Sequence, residues 1–400
     1  MSMNTTPSAN RIHIGFFGRR NAGKSSVVNA VTNQEMSVVS DVKGTTTDPV
    51  MKSMELLPLG PVLIIDTPGF DDEGALGELR IKKTKQVLNK TDIAILVVDA
   101  TVGMTEIDQE IIEIFKAKKI PYLLIYNKCD LLEVRDMKRL SADDNSMLVS
   151  ATAGKNINQL KEKIALMVDS KTEKHLVADL VSPEDIVVLV TPIDESAPKG
   201  RIILPQQQTI RDLLDADAIT VIIKENEVER TLKQLAAKPR LIITDSQAFQ
   251  IVAKSTPKDI YLTSFSILMA RYKGFLETAV NGAIALEMLT DKAKILVCEG
   301  CTHHRQCGDI GTVKLPMWIK EYTGKTFEYE FTSGGEFPED LSSYEMIIHC
   351  GGCMLNEREI QYRMKCAADQ GIPFTNYGTV IAMTKGILAR SLEIFNGKYT

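Results

Sequence analysis

Ile12-His13-Ile14-Gly15-Phe16-Phe17-Gly18-Arg19-Arg20-Asn21-Ala22-Gly23-Lys24-Ser25-Ser26 is the stretch on which the fold turns. Its apolar first part reads as a buried strand, and the rest is G-x-x-x-x-G-K-S, a phosphate loop joining a strand to a helix. The glycines let backbone N–H groups close around a phosphate, and a helix starting near Lys24 points the positive end of its dipole at it. Ser25 adds a hydroxyl for magnesium. A glycine-rich turn alone would be a weak signal, but here the strand, the helix and the Lys-Ser pair accompany it. Gly18, Arg19, Arg20, Asn21, Ala22, Gly23, Lys24, Ser25 and Ser26 are therefore the candidate phosphate-binding residues.

Further strand ends carry matching chemistry. Val62-Leu63-Ile64-Ile65 leads into Asp66-Thr67-Pro68-Gly69, which puts a carboxylate where magnesium would sit and the Gly69 N–H where a γ-phosphate would end. Tyr122 to Tyr126 leads into Asn127-Lys128-Cys129-Asp130, and Met147 to Val149 leads into Ser150-Ala151. Helical signals near 75–89, 105–118 and 156–169 alternate with these strands, as a parallel doubly wound sheet requires. The N-K-x-D quartet resembles the guanine-reading motif of the small GTPase superfamily, and Ser150-Ala151 resembles its fifth motif. The resemblance implies GTP and GDP as ligands, with Asp130 accepting the two guanine N–H donors. It also implies a GTPase domain over residues 11–170, behind a disordered start at 1–10.

Phe70 follows Gly69 directly, where many GTPases place the glutamine that orients the attacking water, and an aromatic ring cannot do that. Asn21 in the loop and Gly44-Thr45-Thr46-Thr47-Asp48 in the first switch resemble the potassium-activated branch typified by MnmE, Era and Der proteins. What the resemblance implies is a potassium ion beside the phosphates, in place of an arginine finger. Lys24, Asn21 and Thr46 are then the catalytic candidates. Magnesium would be held by Ser25, Thr46 and Asp66, with Thr45 the register alternative to Thr46.

The 400-residue chain is too long for one ordinary core, so two or three domains are expected. It is 44% hydrophobic and carries a formal charge of −5, which favours neither nucleic acid nor an anionic membrane as partner. No apolar run approaches the roughly 20 residues that span a bilayer, so a cytoplasmic protein without a membrane partner is expected. Of seven cysteines, five (Cys298, Cys301, Cys307, Cys350 and Cys353) crowd together late in the chain, which in a reducing compartment points to metal or catalysis.

Residues 171–175 read as a polar linker. Beyond it the α/β pattern resumes, with strands expected at 186–190, 219–224, 241–244 and 260–262 and helices centred on Leu213, Val228 and Ala248. This middle region shows no phosphate loop, paired carboxylates or metal spacing, so packing or self-association is its expected role. The last region is expected to run helix 276–289, strand 294–297, helix 313–322, strand 326–331, strand 346–348, helix 356–370 and strand 373–376. Two of its strands open into loops bearing soft ligands: Cys298-Glu299-Gly300-Cys301-Thr302-His303 and His349-Cys350-Gly351-Gly352-Cys353. Strand ends at the carboxyl edge of a parallel sheet are where such ligands meet. A Cys/His quartet suits zinc, while three thiolates and a weaker fourth ligand suit an iron-sulfur cluster, and spacing alone fits both. Cys366 falls on the helix and reads as a core thiol.

A GTPase domain similar to MnmE and Era, a middle α/β region and a terminal C-x-H…H-C-x-x-C together resemble the FeFe-hydrogenase maturation GTPases, the HydF family. The resemblance implies α/β architecture in three domains: the GTPase fold, then dimerisation over 180–270 and cluster binding over 271–400, both with largely parallel sheets. It implies a 4Fe-4S cluster on Cys301, Cys350 and Cys353, with His303 or His349 as fourth ligand. Cys298, Glu299, His304 and Cys307 lie beyond the motif and leave that position open. It further implies a homodimeric scaffold that takes a transient diiron precursor from two radical-SAM maturases and passes it to the hydrogenase apoprotein. The rival expectations are a GTPase acting on RNA or ribosomes with a structural zinc, and an iron-sulfur redox protein.

Overall fold

The computed structural model describes residues 6–33, 49–69, 86–135, 145–168, 174–193, 202–300 and 309–398. The chain divides into two compact units, Met1–Thr172 and Glu173–Thr400.

The first unit is built on a six-stranded sheet: β1 (Ile12–Phe17), β2 (Val50–Leu56), β3 (Gly60–Asp66), β4 (Ile93–Asp99), β5 (Tyr122–Asn127) and β6 (Ser146–Leu148), in the order β2-β3-β1-β4-β5-β6. Helices α1 (Lys24–Thr32), α2 (Glu106–Ala117) and α3 (Ile157–Leu166) cover its faces. Apart from buried His13 in β1 and the polar residues that end β3, β4 and β5, the central strands are apolar because both faces are covered. Ile14 and Phe16 pack with Val27, Val31 and Leu160 on one side, while Phe17 turns to Ile111 and Phe115 on the other. The sheet departs from the all-parallel expectation at one edge, where β2 pairs antiparallel with β3, Val50 against Asp66. Only residues 57–59 separate these strands. A connection that short makes a hairpin, whereas a parallel crossover takes a dozen residues or more. Most of the helix expected at 75–89 lies outside the described residues.

The second unit holds two four-stranded, wholly parallel sheets. The first contains β7 (Ile186–Val190), β8 (Ile219–Ile223), β9 (Leu241–Thr244) and β10 (Tyr261–Ser264), in the order β10-β9-β7-β8. The second contains β11 (Lys294–Glu299), β12 (Glu328–Ser333), β13 (Met346–His349) and β14 (Phe374–Asn376), in the order β12-β11-β13-β14. Counted along each half, both sheets have the same order: second, first, third, fourth. The helices are α4 (Leu204–Asp215), α5 (Val228–Gln234), α6 (Phe249–Ser255), α7 (Phe265–Tyr272), α8 (Leu276–Ala285), α9 (Leu315–Thr323), α10 (Glu357–Asp369), α11 (Tyr377–Thr384) and α12 (Leu388–Leu392).

Several of these differ from expectation. The helix centred on Ala248 is a short 3-10 turn, Ser246–Ala248, followed by α6. Asp245 caps the turn by accepting from the Gln247 N–H, which moves the regular helix downstream. α7 was not foreseen: Phe265-Ser266-Ile267-Leu268-Met269-Ala270 is buried at nearly every position and so shows no helical period. Its start is fixed by Ser264, whose hydroxyl accepts from the Ile267 N–H at 3.3 Å. One continuous core runs through both halves, from Leu176 by way of Val188, Ile243 and Leu268 to Leu296, Ile347 and Phe395. Phe275 and Phe374 meet edge to face at 6.0 Å within it. Among the described residues no helix is long and apolar enough to cross a membrane.

Candidate functional site

In the first unit the loop between β1 and α1 takes the shape its glycines permit. Gly18 has φ +139° and Gly23 φ +86°. A Cβ on Gly18 would stand 2.2 Å from the Val97 carbonyl oxygen, and one on Gly23 2.3 Å from Asn127 Nδ2. Lys24 is buried, with its ammonium donating to the carbonyls of Gly18 (2.9 Å) and Arg19 (2.7 Å). Ser25 Oγ donates to Asp66 Oδ2 at 2.7 Å, so two expected magnesium ligands already adjoin. Gly69 packs on the loop, since a Cβ there would come within 2.7 Å of the Arg20 nitrogen.

The guanine side is joined to that loop through Asn127. Its Nδ2 donates to the Ala22 carbonyl and its Oδ1 accepts the Ala151 N–H, both at 3.1 Å. Lys128 donates to the Asn21 carbonyl at 2.8 Å and pairs with Asp99 at 2.6 Å. Asp130 is exposed on the turn that follows, and the Ser150 hydroxyl accepts the Ala153 N–H at 3.0 Å. Asn21 is exposed, while Ser26 lies in the first turn of α1. Thr45, Thr46 and Phe70 lie outside the described residues.

In the second unit β11 and β13 run side by side, with Cys298 opposite His349, so both thiol loops leave the same sheet edge. The Cys350 N–H donates to the Cys298 carbonyl at 2.8 Å. Cys350 Sγ accepts two backbone N–H groups, from Gly300 at 3.0 Å and Gly352 at 3.3 Å. Cys353 is half-buried, and burial, then Cys350, pushes its thiol up to about 11. Cys298 sits wholly within the core, where burial pushes it up to about 12. Lys273, at the end of α7, is only 2% exposed and donates to the Leu355 carbonyl. Burial lowers its ammonium to about 8, against the opposing pull of Cys353 and Cys350.

His349 is fully buried. Nδ1 donates to the Cys350 carbonyl at 2.8 Å, and Nε2 takes the Arg363 guanidinium at 3.1 Å. Burial and then Arg363 bring its pKa down to about 3, so the ring is neutral with both nitrogens engaged, and its one in-plane lone pair, on Nε2, is taken by Arg363. Arg363 has no exposed surface; it also donates to Glu359 (3.0 Å) and to the Gly334 carbonyl (2.8 Å), and lies over the Phe337 ring. Glu299 is buried and accepts the Tyr377 hydroxyl at 3.3 Å. Cys366 packs against the core from α10. Cys301, His303, His304 and Cys307 lie outside the described residues, and among the described ones no three His, Cys, Asp or Glu side chains are grouped to hold a metal.

The donor set of Cys350 and Cys353 nevertheless fits a thiolate-bound cluster. Burial raises both thiols overall, but the N–H groups of Gly300 and Gly352 pull Cys350 back down and Lys273 does the same for Cys353, so the site offers anionic sulfur partial compensation that a bound metal would complete. Sequence reasoning missed Lys273 and the Arg363–Glu359 pair. The pair does leave a trace, as Glu and Arg four apart on α10, but that spacing ordinarily reads as a surface pair.

Residues 13–128 match a family model described as a 50S ribosome-binding GTPase. GTPase Der of Wolinella succinogenes is 36% identical over 165 residues, 38% of this chain and 35% of that protein. The tRNA modification GTPase MnmE of Desulforamulus reducens is 31% identical over 156 residues, 38% of this chain and 33% of that protein. The chain thus spans about a third of the length of these relatives. Among solved structures, Aquifex aeolicus Era bound to GDP·AlF4− aligns with TM-score 0.36 at 17% identity, over 56% of this chain and 98% of that one. Residues 176–274 match the hydrogen maturase F dimerization domain and residues 277–394 the hydrogen maturase F tetramerization domain. Since those two models together account for more than half of the sequence and a GTPase domain precedes them, the chain belongs to the hydrogen maturase F (HydF) family of hydrogenase-maturation GTPases.

Proposed function

We propose that the protein is a GTP-hydrolysing scaffold that holds a 4Fe-4S cluster and hands a diiron precursor to the FeFe-hydrogenase apoprotein, having received it from two radical-SAM maturases. The observation that carries this reading is Cys350 Sγ taking two backbone N–H groups at a sheet edge within the family-specific region. Cys350 and Cys353 would bind the cluster with Cys301, and the cluster when bound would offer the diiron precursor a point of attachment. His303 is preferred to His349 as fourth ligand because both nitrogens of His349 are engaged. Anaerobic iron and sulfide analysis with EPR tests the proposal; zinc without sulfide would sink it. The relatives of the first unit taken alone favour a ribosome- or RNA-acting GTPase, and the formal charge of −5 speaks against that.

In the first unit Ser25, Thr46 and Asp66 would hold magnesium, and Asn21 with the 44–47 switch would hold potassium. Without a glutamine at Phe70, intrinsic hydrolysis should be slow, roughly 10⁻⁴ to 10⁻² per second. Potassium should raise it several-fold over sodium at equal ionic strength, because its charge stabilises the transition state and sodium is too small for the same cage of oxygens. Asn21→Ala should still bind GTP through Lys24 and Asp130 but lose the cation effect. Equal wild-type rates in both salts would refute the potassium assignment.

Self-association would use β8. It is an edge strand whose Ile219 and Ile222 are 51% and 44% exposed, whereas the opposite edge, β10, lies against α12. An apolar open edge is a template for a second copy of the same strand. Ile222→Lys should convert the dimer to monomer in sedimentation without changing GTP hydrolysis, and an unchanged dimer would move the interface elsewhere.

A further inference from the structure

α7 touches the thiol loop at both of its ends, although it belongs to the half matched by the dimerization model. At its start, Ser266 Oγ lies 3.7 Å from where a Cβ on Gly351 would stand. Just past its end, the Lys273 ammonium donates to the Leu355 carbonyl, two residues beyond Cys353. The Lys273 carbonyl accepts Gln361 Nε2 from α10 at 2.7 Å, which fixes the backbone that carries this ammonium. A cation that is 2% exposed, and whose acceptor among the described residues is a single carbonyl, is poorly compensated unless negative charge stands near it. The groups that favour its charged form are Cys353, Cys350 and Glu357, in that order.

We propose that Lys273 is a positioning residue of the thiol site: it anchors the Gly351–Leu355 loop at the Leu355 carbonyl and supplies the positive charge that offsets the Cys350 and Cys353 thiolates when they hold metal. The proposal rests on reading those cysteines as cluster ligands. It assigns a task at the thiol site to a half of the unit whose sequence shows no chemistry of its own.

The test uses the full chain with Lys273→Met, Lys273→Gln and Lys273→Arg, each in two states. In the iron-free protein, amide hydrogen exchange is measured over residues 351–356. In protein reconstituted anaerobically with ferrous iron and sulfide, the midpoint potential is followed by EPR. Loss of a hydrogen bond from a charged donor should speed loop exchange roughly tenfold in Lys273→Met. Lys273→Gln keeps a donor and should exchange within a few-fold of wild type. Both should shift the potential to more negative values, because reduction adds an electron where a positive charge has been removed. Lys273→Arg should restore both readouts. An unshifted potential in Lys273→Met and Lys273→Gln together would overturn the charge assignment, and unchanged exchange in Lys273→Met would overturn the anchor. A wild type that assembles no cluster would instead overturn the cluster reading, and exchange in the iron-free protein would still report on the anchor.

Discussion

Arg363→Met is expected to destabilise the second unit by about 3–5 kcal/mol, the usual cost of removing one partner from a buried ion pair. The guanidinium is fully buried and serves Glu359, His349 and the Gly334 carbonyl at once. Met fills similar volume but leaves a buried carboxylate, a ring nitrogen and a carbonyl without their donor. For a unit of this size the melting temperature should fall on the order of 10 °C. Thermal unfolding of the full chain, followed by a probe confined to the second unit, measures this, and a shift of about 2 °C or less would show that the network contributes little. Glu359→Gln keeps an acceptor for Arg363 Nε and should cost much less.

Cys350→Ser and Cys353→Ser should each abolish stable cluster assembly and leave GTP hydrolysis at the wild-type rate. A serine hydroxyl is far harder to deprotonate than a thiol and is a poor ligand for iron that prefers soft donors. At position 350 the change would also disturb the loop, because the N–H groups of Gly300 and Gly352 are spaced for sulfur. Cys301→Ser should do the same, whereas a substitution of His303 should change the EPR signal more than the iron content. Iron and sulfide per chain, measured beside the GTPase rate, decide the matter. If all three serine variants kept a full cluster, Cys298 and Cys307 would become the leading ligands, and Cys298 would then have to leave the interior of β11.

What the sequence disclosed follows from how locally each feature is written. The loop from Gly18 to Ser26, the Asn127–Asp130 turn and the thiol pair at 350 and 353 are consecutive residues at strand ends, so alternating apolar runs suffice to place them. The joint made by Asn127, which ties residues 22 and 151 across the sheet, needs the fold before it can be seen. Lys273 was hidden for the same reason: it reaches its acceptor 82 positions away, and nothing around it marks a site. His349 was misleading in the opposite sense. Its place beside Cys350 suggests a ligand, but only the fold reveals Arg363 waiting at its other nitrogen. The antiparallel β2 was legible in principle, from the Leu57-Pro58-Leu59 break before Gly60, because so short a break permits little else.

The shared core of the second unit bears on how its two halves can work together. Only Lys273, Gly274 and Phe275 separate α7 from α8, and Phe275 is seated against Phe374 of the other half. A joint this short and this deeply anchored cannot serve as a hinge, and a protease would find little purchase in it. The pair should open as one cooperative block, with no partly unfolded state in which one half survives alone. Whatever load a partner places on the β8 edge would then reach the thiol loops as a rigid-body displacement, with no flexible link in between to absorb it.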